Sequence, residues 1–145
     1  MTTVLADFNA RVMVADTGAD NGEQVWLAQR KVWRSGKWLL GFAGRYDEIE
    51  EFLAWWRAGR GGPLPSFRHS EALAMSDEGL LHFSTSAREM PSERRREAIG
   101  TGAIGALCAY EALGWTDPKR AVRIACRHDA HSRAPVRVYS LRAGQ

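Results

Sequence analysis

Residues 1–16 read MTTVLADFNARVMVAD, and this stretch sets the pattern for the fold. Val4–Phe8 and Arg11–Ala15 are short, mostly apolar runs that have the pattern of two β-strands, and Asn9–Ala10 provides the turn between them. We therefore predict a β-hairpin here. By default, the two threonines behind the first methionine only lead into its first strand.

Strand patterns continue to residue 44 and then give way to a helix. Residues 24–44, QVWLAQRKVWRSGKWLLGFAG, predict short strands with a turn at Ser35–Gly36, and glycines inside the final apolar run indicate a close approach of another backbone or a ligand. From Tyr46 onward the apolar residues follow helical spacing, and GRGGPLP (59–65) ends that helix. Its apolar face consists of Ile49, Phe52, Leu53 and Trp56.

The second half of the chain predicts a hairpin, two helices and a strand. EALAMSDEGLLHFSTS (71–86) has the pattern of a hairpin that turns at Asp77–Gly79. Asp117–Pro118 is a helix start, with a cap residue before a proline at the first helical position. This last helix is expected to face the core with Ala121, Ile124, Ala125 and His128. The order of elements predicts an α+β fold of stacked sheets with helices outside, and residues 1–145 are expected to form one domain.

Composition and charge exclude several classes of protein. The net charge is +3, but the dense basic stretch SERRREAI (92–99) mixes both signs and argues against a nucleic-acid partner. The longest uncharged run, 98–110, is far shorter than the ~18 residues of a membrane span. We also expect no secretory signal, because Asp7 and Asn9 fall where its apolar region would lie. The histidines lack the spacing of metal ligands. We expect a cytoplasmic protein with no cofactor, metal or membrane association.

A threonine directly behind the first methionine can carry chemistry once that methionine is removed. A hydroxyl is a weak nucleophile until a base accepts its proton, and a free α-amino group, with a pKa of about 7.7–8.0, is such a base at neutral pH. A lysine close to the amine disfavours the charged form of the amine. Met1 precedes a small residue, Thr2, which is the situation in which methionine is normally removed.

Short motifs along the chain resemble, in the same order, those of proteasome β-subunits and HslV, which are threonine peptidases among the N-terminal-nucleophile hydrolases. Each motif is weak alone, and their common order along nearly the whole chain supports the resemblance. The motifs are MTTV (1–4), VMVADTG (12–18), RKVW (30–33), LLGFAG (39–44), AIGTGA (98–103) and HDAHS (128–132).

The resemblance implies a role for each matching residue. Thr2 is expected to be the nucleophile, with its own amine as the general base. Lys31 is expected beside the amine and Asp16 is expected to pair with Lys31, although without the resemblance these residues suit an exposed strand lysine and a strand-end turn equally well. Gly44 is expected to donate its backbone N–H to the oxyanion, and to be glycine because a side chain there would obstruct the substrate.

Further residues are implied around this centre. Thr101, where the family usually has serine, is expected to hydrogen-bond near the amine, with Asp129 and Ser132 supporting that network. In the family, a pocket binds the substrate side chain that precedes the cleaved bond. By position, the residues that border this pocket here are Ala19, Gln29, Trp33, Phe42 and Tyr46.

The resemblance also implies a four-layer αββα sandwich of the N-terminal-nucleophile hydrolase type. One outer helix is missing, because GRGGPLPSFRH (59–69) stands where the family has a second antiparallel helix. The implied function is a self-compartmentalising threonine endopeptidase that acts on peptides or unfolded proteins through an acyl ester. Two alternatives stay open: a catalytically silent ring or scaffold subunit, and an amidase of small molecules.

The expected assembly is a homo-oligomer of two stacked rings. Compact bacterial proteasome homologues are the most similar members, so sevenfold rings are favoured and sixfold rings stay open. An ATP-dependent unfoldase is left open as a partner, because the missing helix lies on the side where such partners dock in the family.

Overall fold

The computed structural model describes residues 2–20, 25–26, 29–84, 90–91 and 94–141. Strands and helices follow one another in an α+β order, as predicted. The elements are β1 (Thr3–Asp7), β2 (Val12–Asp16), β3 (Ala19–Asp20), β4 (Val25–Trp26), β5 (Val32–Ser35), β6 (Trp38–Ala43), α1 (Tyr46–Arg57), β7 (Glu71–Ser76), β8 (Gly79–Phe83), β9 (Met90–Pro91), β10 (Arg96–Gly100), α2 (Ala103–Ala112), α3 (Pro118–His128) and β11 (Val136–Ser140).

Two antiparallel sheets form the middle of the molecule. The first sheet has the strand order β10-β1-β2-β11, the second has the order β5-β6-β7-β8-β9, and β3 pairs with β4 separately. The predicted first hairpin is present, and the Asp7 carboxylate holds its turn by accepting hydrogen bonds from the N–H groups of Asn9 at 2.8 Å and Ala10 at 3.1 Å. Tyr110 and Arg96 also donate to Asp7, which ties the hairpin to α2 and β10.

The sheets pack face to face through apolar side chains. On β6, a Cβ at Gly41 would lie 2.6 Å from the Met13 sulfur and 2.8 Å from Val4 Cγ1, both on the first sheet. Gly41 is therefore a glycine because side chains of the first sheet pack tightly against it, and not because another backbone or a ligand approaches as predicted. The largest buried residues between the sheets are Val4, Met13, Leu39, Leu73, Met75 and Ile99.

Helices α2 and α3 cover the outer face of the first sheet. α3 starts as predicted, because the Asp117 carboxylate accepts a hydrogen bond from the Arg120 N–H at 2.9 Å and Pro118 occupies the first turn. None of the described helices has both the length and the apolar character of a membrane span.

The predicted core face of α3 is partly wrong. Ala121 and Ala125 are buried as predicted, but the third buried residue is Val122, while Ile124 is half-buried and His128 is exposed. Small side chains at the contact let α3 pack closely against both α2 and the first sheet, and this turns Val122 rather than Ile124 toward the sheet.

Helix α1 alone covers the outer face of the second sheet, and the described residues 58–70 contain no further helix. Its predicted apolar face is confirmed: all four residues are buried. Side chains from the segment after α1 pack on the aromatic residues of α1, where the family has a second helix. Phe67, from the segment after α1, stacks on Phe52 with ring centroids 5.2 Å apart, and the Arg60 guanidinium lies 4.5 Å from the centre of the Trp56 ring. The expected αββα sandwich with one outer helix missing is confirmed.

Candidate active site

Thr2 lies at the start of β1, where Gly100 ends the neighbouring strand β10. Thr2 is 4% exposed, and Met1 lies outside the described residues. Thr3, the following residue, pairs with Gly100 across the two strands. A Cβ at Gly100 would collide with the Thr2 carbonyl oxygen, and Gly100 has a φ of +92°, so glycine is required for this approach. The backbone of Thr2 is therefore held against β10.

A buried ion pair joins the end of β2 to the residue before β5. Lys31 Nζ lies 2.9 Å from Asp16 Oδ1, with Lys31 6% exposed and Asp16 fully buried. Asp16 also accepts hydrogen bonds from the backbone N–H groups of Thr3, Gly18 and Arg133 at 3.0, 3.2 and 2.9 Å. The alternative interpretation of Lys31 as an exposed lysine is thus wrong. Because one oxygen, Oδ1, binds both Lys31 and Thr3, the ammonium group is fixed beside the start of β1.

A second carboxylate, Asp129, accepts hydrogen bonds from two hydroxyl groups of the site. Asp129, directly after α3, accepts a hydrogen bond from the Thr101 hydroxyl at 2.7 Å and a short one from the Ser132 hydroxyl. Burial raises the pKa of the Asp129 carboxyl, but the hydrogen bonds from Ser132 and Thr101 oppose it, and the pKa lies below its ordinary value. The structure thus brings together all three residues that were predicted to form this network.

Thr3 connects the two carboxylates, and the sequence analysis missed it. The Thr3 N–H donates to Asp16, and the Thr3 and Ser132 hydroxyl oxygens lie 2.6 Å apart. A Cβ at Gly102 would collide with the Thr3 hydroxyl, so that glycine makes room for the contact. A threonine early in a strand is ordinary in a sequence, because β-branched residues favour strands. The repeated threonine in MTTV was the available signal.

Gly44 follows β6 and borders an open cleft of about 260 Å³, which Thr101 and Gly100 also line. We expected glycine here because a side chain would obstruct the substrate, but the structure shows a different reason. A Cβ there would lie 2.6 Å from the His69 carbonyl oxygen and would also collide with the Ser70 hydroxyl. Gly44 is thus required by the backbone packed against it. Its φ of +131° also favours glycine.

Four of the five residues predicted to border the substrate pocket, here called the predicted substrate wall, contact one another in two pairs. The Tyr46 hydroxyl donates to Gln29 Oε1 at 2.9 Å, and Trp33 packs edge-on against Phe42 with ring centroids 5.4 Å apart. Phe42 is 1% exposed, so it supports Trp33 from behind rather than offering a surface of its own. Ala19 lies in β3, and its side chain is outside the described residues. Over the described part of the chain, no cluster of three or more His, Cys, Asp or Glu side chains could hold a metal ion.

Comparison with solved structures gives similar architectures over nearly the whole chain. HslV from the eukaryote Trypanosoma brucei matches with a TM-score of 0.73 and 20% identity, covering 95% of this chain and 98% of that one. The chain has the HslV fold. Two structures of Thiobacillus denitrificans BPH share this architecture.

The BPH complex with epoxomicin has a TM-score of 0.74 and 17% identity, covering 97% of this chain and 99% of that one. The other BPH structure has a TM-score of 0.75 and 16% identity, covering 99% and 100%. No protein-family model and no curated protein matches the sequence. The HslV fold confirms the expected resemblance in its architecture, with the two sheets and their outer helices in place.

Proposed function

We propose that this chain is a threonine peptidase whose nucleophile is Thr2 after removal of Met1. The observation that carries the proposal is the double attachment of Thr3, through its N–H to Asp16 and through its hydroxyl to Ser132. Thr3, which directly follows Thr2 in the chain, is thereby fixed between a buried ammonium–carboxylate pair and a network of hydroxyl groups. BPH, which shares the HslV fold, binds epoxomicin, and this supports a reactive centre in such a fold.

The reaction is an acyl transfer in two steps. The Thr2 hydroxyl oxygen attacks the scissile carbonyl carbon while the Thr2 amine accepts the hydroxyl proton, and the Gly44 N–H stabilises the oxyanion. The amine then gives the proton to the leaving nitrogen, the C–N bond breaks, and an ester remains on Thr2. Water, deprotonated by the same amine, hydrolyses the ester and restores Thr2. General-base catalysis contributes about 10²–10⁴-fold, and an oxyanion donor about 10²–10³-fold.

The surrounding residues keep the amine and hydroxyl in their reactive forms. The Lys31 ammonium disfavours the protonated form of the nearby amine, while Asp16 fixes the position of Lys31. Thr101, Asp129 and Ser132 form a hydroxyl–carboxylate chain that assists proton movement. Gln29, Trp33 and Tyr46, with Ala19, border the pocket for the side chain before the cleaved bond, and Phe42 supports Trp33.

We further propose that the subunits assemble into two stacked rings with the nucleophiles inside, in the cytoplasm. Head-to-tail contacts between identical subunits close into rings, and a closed chamber restricts an unspecific peptidase to chains that can enter it. Sevenfold rings are favoured over sixfold rings. Peptides or unfolded proteins are the substrates, and an ATP-dependent unfoldase that feeds the chamber stays an open partner.

Peptide turnover by the wild type and Thr2→Ala, measured with the native mass, tests this proposal. The wild type is expected to form rings, lack Met1 and cleave peptides, and Thr2→Ala is expected to form the same rings without turnover. Thr116→Ala is a matched control, because Thr116 is exposed beyond α2 and its hydroxyl donates to the Leu113 carbonyl. It should leave turnover unchanged.

The open alternatives give different results. A silent scaffold subunit assembles, shows no turnover and is unaffected by Thr2→Ala. A small-molecule amidase hydrolyses a small amide through Thr2 but leaves peptides intact. Either result contradicts the proposed peptidase.

A further inference from the structure

The open cleft beside Gly44 lies on the opposite side of β6 from the predicted substrate wall. In the second sheet β6 lies between β5, which carries Trp33, and β7, which begins at Glu71. Glu71 pairs directly with Ala43, the last residue of β6. Both residues line the cleft. Two different surfaces therefore flank β6: an aromatic one on the β5 side, where Trp33 pairs with Leu40, and one with a carboxylate on the β7 side, beside Ala43.

Contacts with His82 and Gly100 hold the Glu71 carboxylate in place, and its side chain stays partly exposed. Its Oε1 lies 3.3 Å from His82 Nε2, and its Oε2 accepts a hydrogen bond from the Gly100 N–H at 3.4 Å. The hydrogen bond with His82 lowers the pKa of Glu71 by more than burial raises it, so the group is ionised at neutral pH. The Glu71 side chain is still 38% exposed.

A histidine and a second carboxylate act near Glu71. The bond to Glu71 raises the pKa of His82 most strongly, and the negative charges of Glu71 and Glu97 raise it further. Two carboxylates thus act on one imidazole. Besides Glu71, the cleft wall consists of His69, Thr101 and three small residues, Ala43, Gly44 and Gly100, which contribute at most a methyl group. A long side chain has room to reach the carboxylate over these small residues.

We propose that this cleft binds a basic substrate side chain, lysine or arginine, at the position directly after the cleaved bond. The inference rests on the proposed peptidase function, in which the side chain before the bond lies against Trp33 and Tyr46. A chain that crosses the end of β6 at Gly44 then places its leaving part on the Glu71 side. Arginine and lysine donate charge-assisted hydrogen bonds to carboxylates.

Matched peptides that differ only in the residue after the cleaved bond test the subsite. Arginine, lysine, norleucine and glutamate are placed there, and kcat/KM is measured for the assembled wild type, Glu71→Gln and Glu78→Gln. The wild type is expected to prefer arginine over norleucine by about tenfold, the effect of one partly exposed charge-assisted hydrogen bond. Glutamate is expected to be the poorest substrate.

Glu71→Gln removes the charge but keeps an oxygen for the Gly100 N–H. The arginine-to-norleucine ratio is expected to fall to about one in this variant, a readout that a general loss of rate does not change. Glu78 follows the other end of β7 and pairs with Lys37, so Glu78→Gln is expected to keep the ratio of the wild type.

The results separate this proposal from the one on which it rests. Equal kcat/KM for arginine and norleucine in a wild type that cleaves peptides through Thr2 overturns the subsite and leaves the peptidase standing. A preference that persists in Glu71→Gln likewise overturns it. Absence of all peptide cleavage by assembled, Met1-free protein overturns the peptidase and the subsite together.

Discussion

Asp16 binds Thr3 directly and Asp129 is connected to it through Ser132, and the surroundings of the two carboxylates differ. Asp16 is fully buried and receives backbone N–H groups and the Lys31 ammonium. Asp129 is half-buried at the end of α3 and receives the hydroxyl groups of Thr101 and Ser132. Backbone donors have fixed directions, whereas a hydroxyl can rotate and either donate or accept. The Asp16 side is thus built to hold a charge in place, and the Asp129 side can rearrange its protons.

The difference implies separate contributions to the proposed reaction. Changing Asp16 should disturb both folding and turnover, because a buried charge loses its partner. Changing the hydroxyl side should disturb turnover more than folding. Variants on each side test whether the two carboxylates contribute differently to folding and turnover.

The largest effect is expected for Asp16→Asn. The amide NH₂ must face either Lys31 and the Thr3 N–H or the N–H groups of Gly18 and Arg133, and the buried Lys31 ammonium loses the negative charge of Asp16. Breaking a buried ion pair costs about 3–5 kcal/mol, so the free energy of unfolding, measured with urea, should fall by that amount and turnover should be lost.

Asp47→Asn is the matched control for this substitution. Asp47 forms an exposed pair with Arg45 on the surface of α1, and such pairs contribute about 0–1 kcal/mol. If Asp16→Asn were no more destabilising than Asp47→Asn, the buried side would not hold the charge as described.

A smaller effect is expected for Thr3→Val, which tests the link between the two sides. Valine keeps the shape of threonine and the N–H bond to Asp16 but removes the hydroxyl contact with Ser132. A lost buried hydrogen bond costs about 1–2 kcal/mol of unfolding free energy. Because Thr3 positions Thr2 without touching substrate, we expect kcat to fall by about tenfold, equivalent to about 1.4 kcal/mol, with KM unchanged.

Thr3→Ser restores the hydroxyl and should restore kcat. Steady-state kinetics on the three proteins, wild type, valine and serine, make the comparison. A valine variant with the kcat of the wild type would show that the two sides are not connected through Thr3.

The smallest effect is expected from the pH dependence of Asp129. Its pKa lies below the ordinary value, so its contribution to stability is fully present above the ordinary aspartate pKa of about 3.9 and is lost as pH falls through the lowered folded-state value. For this partly exposed group we expect a few tenths of a kcal/mol. Urea unfolding at pH 7 and pH 3 should show the wild type losing that much more stability than Asp129→Asn, and equal losses would contradict it.

Much of the fold could be predicted because its patterns are local. The spacing of Ile49, Phe52, Leu53 and Trp56 determined the buried face of α1, and Asp117–Pro118 determined the start of α3. The burial of Val122 in place of Ile124 could not be predicted in this way, because it depends on how closely α3 packs against α2. The same holds for Phe67 and Arg60, which cover the second sheet from a segment without periodicity.

The site was predictable to the extent that its residues lie in motifs. The Asp16–Lys31 pair and the contacts of Thr101, Asp129 and Ser132 were expected, and their geometry now supports the proposed roles. Thr3 and Glu71 were missed, because a strand threonine and a strand glutamate are ordinary at the surface of a sheet. Their importance arises from long-range contacts with Ser132, Gly100 and His82.

The proposed reaction requires that Thr2, with a free amine, is the nucleophile. Its most direct test is the mass of the assembled protein and of its first peptide after treatment with epoxomicin, which BPH binds. We predict a chain that lacks Met1 and carries one adduct on Thr2, with no adduct on Thr2→Ala. An assembled, Met1-free chain that stays unmodified, or an adduct on another residue such as Thr3, would contradict the claim.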